Sequence, residues 1–229
     1  MIISLKRVIA IFLVIVVIFL GGFIIVSTTK TNARPNYEYT VVIDAGHGGR
    51  DGGCVGVNGA VEKDLNLEYA KTLKELLETK DIKVIMTRSS DKALYDEDAN
   101  NKKSSDMRAR AKIINYNQPD LVVSIHMNSF PLSSATGARV YHKKGSEPSK
   151  AIADNIQKSL HYYMGTKTIN SSVGDYYILN CTDYSAVLIE CGYLSNSQEE
   201  ALLNTKEYRN KLMHSVYSGI LLSLGGDIY

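Results

Sequence analysis

The chain has little cysteine and no strong excess of charge, and both shortages exclude classes of function. Three cysteines occur among 229 residues, and no two of them stand at zinc-finger spacing. So few cysteines do not build a disulfide framework, and we expect mostly free thiols at Cys54, Cys181 and Cys191. The formal net charge is +2, which provides no basic field for binding nucleic acid.

A long apolar run lies near the start of the chain. Val8–Val26 contains 19 residues without a charge and follows two basic residues. As a helix this run would span about 28 Å, close to the hydrocarbon thickness of a bilayer. We therefore interpret residues 1–29 as an uncleaved signal anchor, with a cleaved signal peptide as the alternative. Residues 30–36 read as a polar linker, and residues 37–229 as a single exported domain.

Strand and helix patterns alternate along residues 37–229. Short apolar, β-favouring runs predict strands, and runs with apolar residues every three to four positions predict helices. This order predicts an α/β fold, a single doubly wound and mostly parallel sheet with helices on both faces. The predicted strands are 39–45, 82–87, 120–126, 137–142, 176–180 and 186–190, and the predicted helices are 62–79, 105–116 (capped by Ser105 or Asp106), 147–163, 197–203 and 206–224.

A glycine-rich loop follows the first predicted strand and contains His47. The segment reads Asp44-Ala-Gly-His-Gly-Gly-Arg-Asp-Gly-Gly53. A strand that ends in such a loop presents the next side chain at the carboxyl edge of the sheet, where open α/β sheets bind ligands. A structural histidine and a phosphate-binding loop are the alternatives. The second of these needs a helix directly after the loop, and none is predicted before about Val61.

Three further polar side chains are predicted at the same edge of the sheet. Glu62 opens a helix, and His126 and Glu190 each close an apolar strand. Two histidines and a carboxylate make a catalytic zinc site, and a fourth group can serve as the base. Each carboxylate also has a structural alternative. Glu62 can complement the dipole of its helix, and Glu190 can pair with Arg88 or Arg110.

Two details of this predicted site stay open in the sequence. A thiolate from Cys54 or Cys191 could replace one ligand, although both residues read as small buried side chains. Asp44 is a candidate for orienting the histidines from outside the ligand shell, and the alternative is that it caps the glycine turn.

Four segments of the chain follow one another in a specific order. They are Asp44–Asp51 (DAGHGGRD), Glu62–Asn66 (EKDLN), Ser124–Asn128 (SIHMN) and Val187–Asn196 (VLIECGYLSN). Together they resemble the amidase 3 family, the zinc-dependent N-acetylmuramoyl-L-alanine amidases of bacterial cell walls. The resemblance covers about residues 39–224. It implies that His47, Glu62 and His126 are zinc ligands and that Glu190 is the catalytic carboxylate.

The layout of one anchor and one bare domain is similar to the germination-specific members of that family in endospore formers. This similarity implies an enzyme on the outer face of the cell or forespore membrane that removes stem peptides from spore-cortex peptidoglycan before muramic-δ-lactam forms. A vegetative wall-lytic amidase, a zinc endopeptidase or deacetylase, and a non-catalytic peptidoglycan-binding or scaffold protein are the alternatives. Many relatives carry Arg and Pro where Asn180 and Ser185 stand here. The missing cation implies that an activating partner protein or an ordered substrate completes the site.

Overall fold

The computed structural model describes residues 38–225, which form one sheet with helices packed on it. The predicted anchor (1–29) and linker (30–36) lie outside the described residues. Within residues 38–225, none of the helices combines the length and apolar composition that crossing a bilayer requires. The strands are β1 (Thr40–Ala45), β2 (Lys83–Met86), β3 (Leu121–Asn128), β4 (Arg139–His142), β5 (Ser172–Val173) and β6 (Ala186–Tyr193), and the helices are α1 (Glu62–Glu78), α2 (Lys102–Asn117), α3 (Glu147–Met164), α4 (Tyr177–Asn180), α5 (Ser197–Leu203) and α6 (Lys206–Ser223).

The six strands lie side by side in the order β2-β1-β3-β6-β4-β5. Strands β2, β1, β3 and β6 are parallel neighbours, because a helix or long crossover connects each to the next. Strand β4 runs antiparallel to β6 and carries the short edge strand β5. The predicted α/β fold with a mostly parallel sheet is therefore confirmed.

Helices cover both faces of the sheet, because successive strand residues point to opposite sides. In β1, Val41 and Ile43 enter the larger apolar core beneath α1, α3 and α6. Val42 between them enters a smaller core, where it meets Ile114 of α2 and Leu179 of α4. Strands buried on both faces read as continuous apolar runs, which is how the sequence identified them.

Two local predictions were wrong, and both errors have a physical reason. The predicted strand 176–180 is the short helix α4, in which the neighbouring residues Ile178 and Leu179 are both buried. An apolar run this short does not distinguish a helix from a strand. Helix α2 begins at Lys102 rather than Ser105, because Asn101 caps it by accepting a hydrogen bond from the Ser104 amide.

Candidate active site

The carboxyl ends of β1, β3 and β6 bring the four predicted side chains to one place. His47 follows β1, and Glu62 is the first residue of α1. His126 and Glu190 are directly paired across β3 and β6. Both strands continue beyond these residues, to Asn128 and Tyr193, so the prediction that they close their strands was wrong. An irregularity in the pairing between His126 and Asn128 interrupts the ladder there.

Three of these side chains form a compact group of potential metal ligands. The His47 Nε2 atom lies 3.2 Å from Glu62 Oε1, and the His126 Nδ1 atom lies 2.9 Å from the same oxygen. One donor atom from each residue falls within 4.8 Å of the others. Ligand atoms that share a tetrahedral ion at bonds of about 2.0–2.1 Å are about 3.3 Å apart. Two imidazole nitrogens and a carboxylate oxygen at these separations are therefore compatible with a metal ion.

Glu62 is buried and is held from several sides. Its Oε2 atom accepts a 2.8 Å hydrogen bond from the Cys54 amide, and the Asn66 side chain donates to Oε1 at 3.2 Å. Burial opposes ionisation, but hydrogen bonds with His126 and His47 outweigh burial and lower the pKa of Glu62. The carboxylate stays charged, as a metal ligand must. Its place at the start of α1 also fits the helix-dipole alternative, and the two roles are compatible.

The loop that carries His47 has an unusual backbone, fixed by two buried arginines. His47 has a φ of 60°, in the left-handed region that few non-glycine residues adopt. Arg110 donates to the His47 carbonyl at 2.7 Å, and Arg88 donates to the Ala45 and Gly46 carbonyls at 2.8 Å each. Such strain persists only where the surroundings over-determine it, and it clusters at functional sites.

Glycine is required where this loop passes the carboxylate. A Cβ atom on Gly53 would lie 2.4 Å from Glu62 Oε2, and the φ of Gly53 is +71°. Gly46 is equally confined, because a Cβ there would meet the His126 ring at 2.2 Å. The glycines of the motif thus let the backbone approach the liganding side chains closely.

Asp44 has a role that differs from the one predicted, and Asp51 is the acid that approaches His47. Asp44 bonds Arg110, Thr87 and Ser124 and makes no hydrogen bond to a histidine, so its predicted orienting role was wrong. Asp51 lies with Oδ2 2.9 Å from His47 Nδ1, at the atom that faces away from Glu62.

A tight turn explains how Asp51 reaches His47. Gly48 and Asp51 exchange backbone hydrogen bonds of 2.9 and 3.2 Å, which fold the chain back onto the imidazole. Burial lowers the pKa of His47, but the nearby carboxylates of Glu62 and Asp51 outweigh it and raise that pKa overall. The spacing of four residues between histidine and aspartate in a glycine turn is the signal in the sequence that would have identified this pair.

Glu190 is a buried carboxylate with a free oxygen. It is 8% exposed, and its Oε2 atom has no hydrogen-bond partner among the described residues. Burial raises its pKa to about 7, and the neighbouring charge of Glu62 adds to this effect. Arg110 bonds Asp44 and Asp106 instead, and Arg88 bonds backbone carbonyls, so the predicted structural alternative for Glu190 was wrong. A carboxyl group with this pKa is suited to moving a proton near neutral pH.

These side chains open onto one cavity. Its volume is about 460 Å³, and its walls include His47, His126 and Glu190 together with side chains from α2 and α4. All three cysteines are free, as expected, and none belongs to the metal-compatible group. Burial raises the pKa of Cys54 to about 12, which keeps its thiol protonated in the metal-free protein.

Comparison with known proteins identifies the family. A family model described as N-acetylmuramoyl-L-alanine amidase (Amidase_3) matches residues 41–221. The chain belongs to the amidase 3 family. It is an N-acetylmuramoyl-L-alanine amidase, and the matched region contains all four predicted site residues.

One curated relative and two solved structures within the amidase 3 family show how similar this chain is to other members. The germination-specific N-acetylmuramoyl-L-alanine amidase of Bacillus subtilis is 35% identical over 185 residues, which cover 79% of this chain and 78% of that protein. The CwlD amidase from Clostridioides difficile, solved in complex with the GerS lipoprotein, has a TM-score of 0.78 at 35% identity and covers 82% of this chain and 100% of its own. The catalytic domain of CwlV from Bacillus (Paenibacillus) polymyxa var. colistinus has a TM-score of 0.73 at 31% identity, with 82% and 99% covered.

Proposed function

We propose that the chain is a zinc-dependent amidase of spore-cortex peptidoglycan. It hydrolyses the bond between the lactyl group of N-acetylmuramic acid and L-alanine, and so removes stem peptides ahead of muramic-δ-lactam formation. The observation that carries this proposal is a group of two imidazoles and one carboxylate, within 4.8 Å of one another, beside the unpartnered carboxylate of Glu190. Similarity to the germination-specific amidase of Bacillus subtilis supports the cortex as the substrate.

His47, Glu62 and His126 would hold the zinc ion. Their donor set of two nitrogens and one oxygen, with a fourth position left for water, is typical of catalytic zinc sites. Bound there, zinc acidifies water and polarises the scissile carbonyl. The protein keeps the ligands ready for this role, because Asn66 and the Cys54 amide fix Glu62 and the two buried arginines fix the His47 loop.

Glu190 would act as the base and then as the acid. Its free Oε2 atom takes a proton from the attacking water and passes it to the nitrogen of the leaving L-alanine. Burial raises its pKa to about 7 in the metal-free protein, and a zinc ion bound nearby would lower that value because a positive charge favours the carboxylate. Activity should therefore fall as the pH drops through the pKa of Glu190, because the protonated carboxyl cannot accept a proton.

Asp51 would position His47 for zinc. A carboxylate that accepts a hydrogen bond from the outer nitrogen of a ligating imidazole fixes its tautomer and raises its basicity. We expect Asp51→Asn to lower zinc affinity by about 10–100-fold. Titration with a competing chelator measures this affinity directly, and Asp96→Asn, on an exposed loop residue, is the matched control. Equal zinc affinities for Asp51→Asn and the parent would contradict the assignment.

We further propose that the catalytic domain is exported and that residues 1–29 anchor it to the outer face of the cell or forespore membrane. A partner protein would complete the site. Asn180 lies at the end of α4, exposed, with its side chain bonded to Asp175, and it contributes no cation to the cavity wall. The complex of CwlD with a lipoprotein, in a protein 35% identical to this chain, supports such a partner.

One experiment tests the function and its alternatives together. Full-length protein is incubated with purified spore cortex and with vegetative wall, and zinc content and product masses are measured. We expect about one zinc per chain, whole stem peptides released from cortex, and no release after chelation until zinc is restored. Release of peptide fragments would indicate an endopeptidase, and release of free acetate would indicate a deacetylase. The absence of any product would indicate a scaffold protein. Faster release from vegetative wall than from cortex would contradict the cortex assignment.

A further inference from the structure

One wall of the cavity carries cations that the proposed chemistry does not use. Arg50, Lys102 and Lys103 line the same cavity as His47 and Glu190. We call these three cations the basic wall. Arg50 belongs to the glycine-rich loop, and the two lysines are the first residues of α2. The positive end of the α2 dipole adds to their field, so the wall attracts anions.

Most acids that line this cavity are already paired with other groups. They are Asp44 and Asp106, which bond Arg110, and Asp51, which bonds His47. The basic wall has fewer partners. Lys102 bonds the exposed carboxylate of Glu97 at 2.5 Å and lies 4.9 Å from the centre of the Tyr95 ring. Arg50 and Lys103 are exposed, and within residues 38–225 neither forms an ion pair. The wall therefore presents free positive charge beside the reacting group.

The chemistry of the proposed substrate offers one kind of anion to this wall. The glycan is uncharged, whereas the stem peptide carries carboxylates. When the residue after L-alanine is isoglutamate, its free α-carboxylate stands about 6 Å from the scissile nitrogen along an extended backbone. Glu190 and the basic wall line the same cavity of about 460 Å³, which has room for a carboxylate at this distance from the scissile nitrogen.

We propose that the basic wall binds the free α-carboxylate of the second stem-peptide residue. The enzyme thereby favours stems with isoglutamate over stems in which this carboxylate is amidated to isoglutamine. Glu97 occupies Lys102 when substrate is absent, as an internal competitor that the substrate carboxylate displaces. This inference rests on the proposed function and names the substrate preference of the same site.

The test compares two synthetic disaccharide peptides that differ only in isoglutamate against isoglutamine. Kinetic constants of full-length, zinc-loaded protein are measured at low and high salt. For the parent we expect a lower KM for the carboxylate substrate, and a smaller preference at high salt because screening weakens exposed charge pairs. The double variant R50Q/K103M should raise the KM for the carboxylate substrate about tenfold and that for the amide substrate less than twofold.

Two further variants sharpen the result. Glu97→Gln releases Lys102 and should lower the KM for the carboxylate substrate. Lys112→Met removes an exposed lysine from the same helix away from the cavity, so its constants should match those of the parent. The proposal is overturned if the parent cleaves both substrates equally well, or if R50Q/K103M changes both KM values by the same factor. Failure to cleave either substrate would instead overturn the proposed function.

Discussion

If Glu190 is the proposed base, Glu190→Gln is expected to abolish hydrolysis and to leave the proposed zinc site intact. Glutamine preserves the size of the side chain but cannot accept a proton from water. Loss of a general acid–base group costs about 10²–10⁴-fold, so kcat should fall by that factor. Metal analysis should still find the parent zinc content, because Glu190 is not in the group formed by His47, Glu62 and His126. Stem-peptide release from cortex measures the activity.

The same substitution should stabilise the metal-free protein at alkaline pH. Burial raises the pKa of Glu190 to about 7, so the folded state holds a proton that the unfolded state releases at lower pH. The buried carboxyl group therefore lowers the free energy of unfolding as the pH rises above the pKa that Glu190 has in the unfolded state. The loss is complete above pH 7. From the ordinary value of 4.5 this amounts to about 3 kcal/mol, which Glu190→Gln removes.

Unfolding measured at pH 8 and pH 4 checks this second effect. The variant should gain stability at pH 8 and come close to the parent at pH 4, where Glu190 is protonated in the folded state and mostly protonated in the unfolded state. Glu207→Gln, a surface substitution, controls for the loss of one negative charge. Cleavage by Glu190→Gln at near the parent rate would show that another group is the base. A loss of stability at pH 8 would contradict the burial argument.

Arg110→Met is expected to be the most destabilising single substitution in the site. Arg110 and Asp44 are both 2% exposed, and their ion pair measures 2.7 Å. Removing one partner of a buried pair leaves an uncompensated charge and costs about 3–5 kcal/mol. The Tm should fall by about 10 °C for a domain of this size. The His47 carbonyl also loses its donor, so zinc affinity should fall with stability.

The pH dependence of that loss identifies its cause. Arg110 helps to hold the pKa of Asp44 below its usual range against the effect of burial. The pair therefore contributes stability above the unfolded pKa of Asp44, and the contribution disappears as the pH falls through the folded pKa. The penalty in Arg110→Met should accordingly shrink in acid, and the added change Asp44→Asn should recover part of it at neutral pH. Arg108→Met, exposed on the same helix, is the control. A Tm within about 1 °C of the parent would contradict this account.

The sequence predicted the outline of the fold because its signals are local and strong. Continuous apolar runs such as Leu121–Ile125 belong to strands buried on both faces, and their alternation with amphipathic segments specifies a parallel sheet. The prediction failed at Tyr177–Asn180, because four residues are too few to show the periodicity of either a helix or a strand. It also missed β5, whose two residues carry no pattern of their own.

The sequence located the four candidate side chains, but not the contacts that hold them. Residue type and a place toward the carboxyl end of a parallel strand were enough to single out His47, His126 and Glu190, although the last two strands continue beyond these residues. That Asp44 bonds Arg110 and no histidine was not predictable in the same way. It depends on the reach of Arg110 from α2 to Asp44 across 66 residues, which is a tertiary property.

Arg88 and Arg110 bond the backbone of the His47 loop, and this affects how the site forms as the chain folds. Arg88 and Arg110 donate hydrogen bonds to three consecutive main-chain carbonyls of this loop, so protein groups hold its shape. The backbone that presents His47 is then set by the fold itself. We expect a metal ion that binds to His47 to meet this backbone already in place.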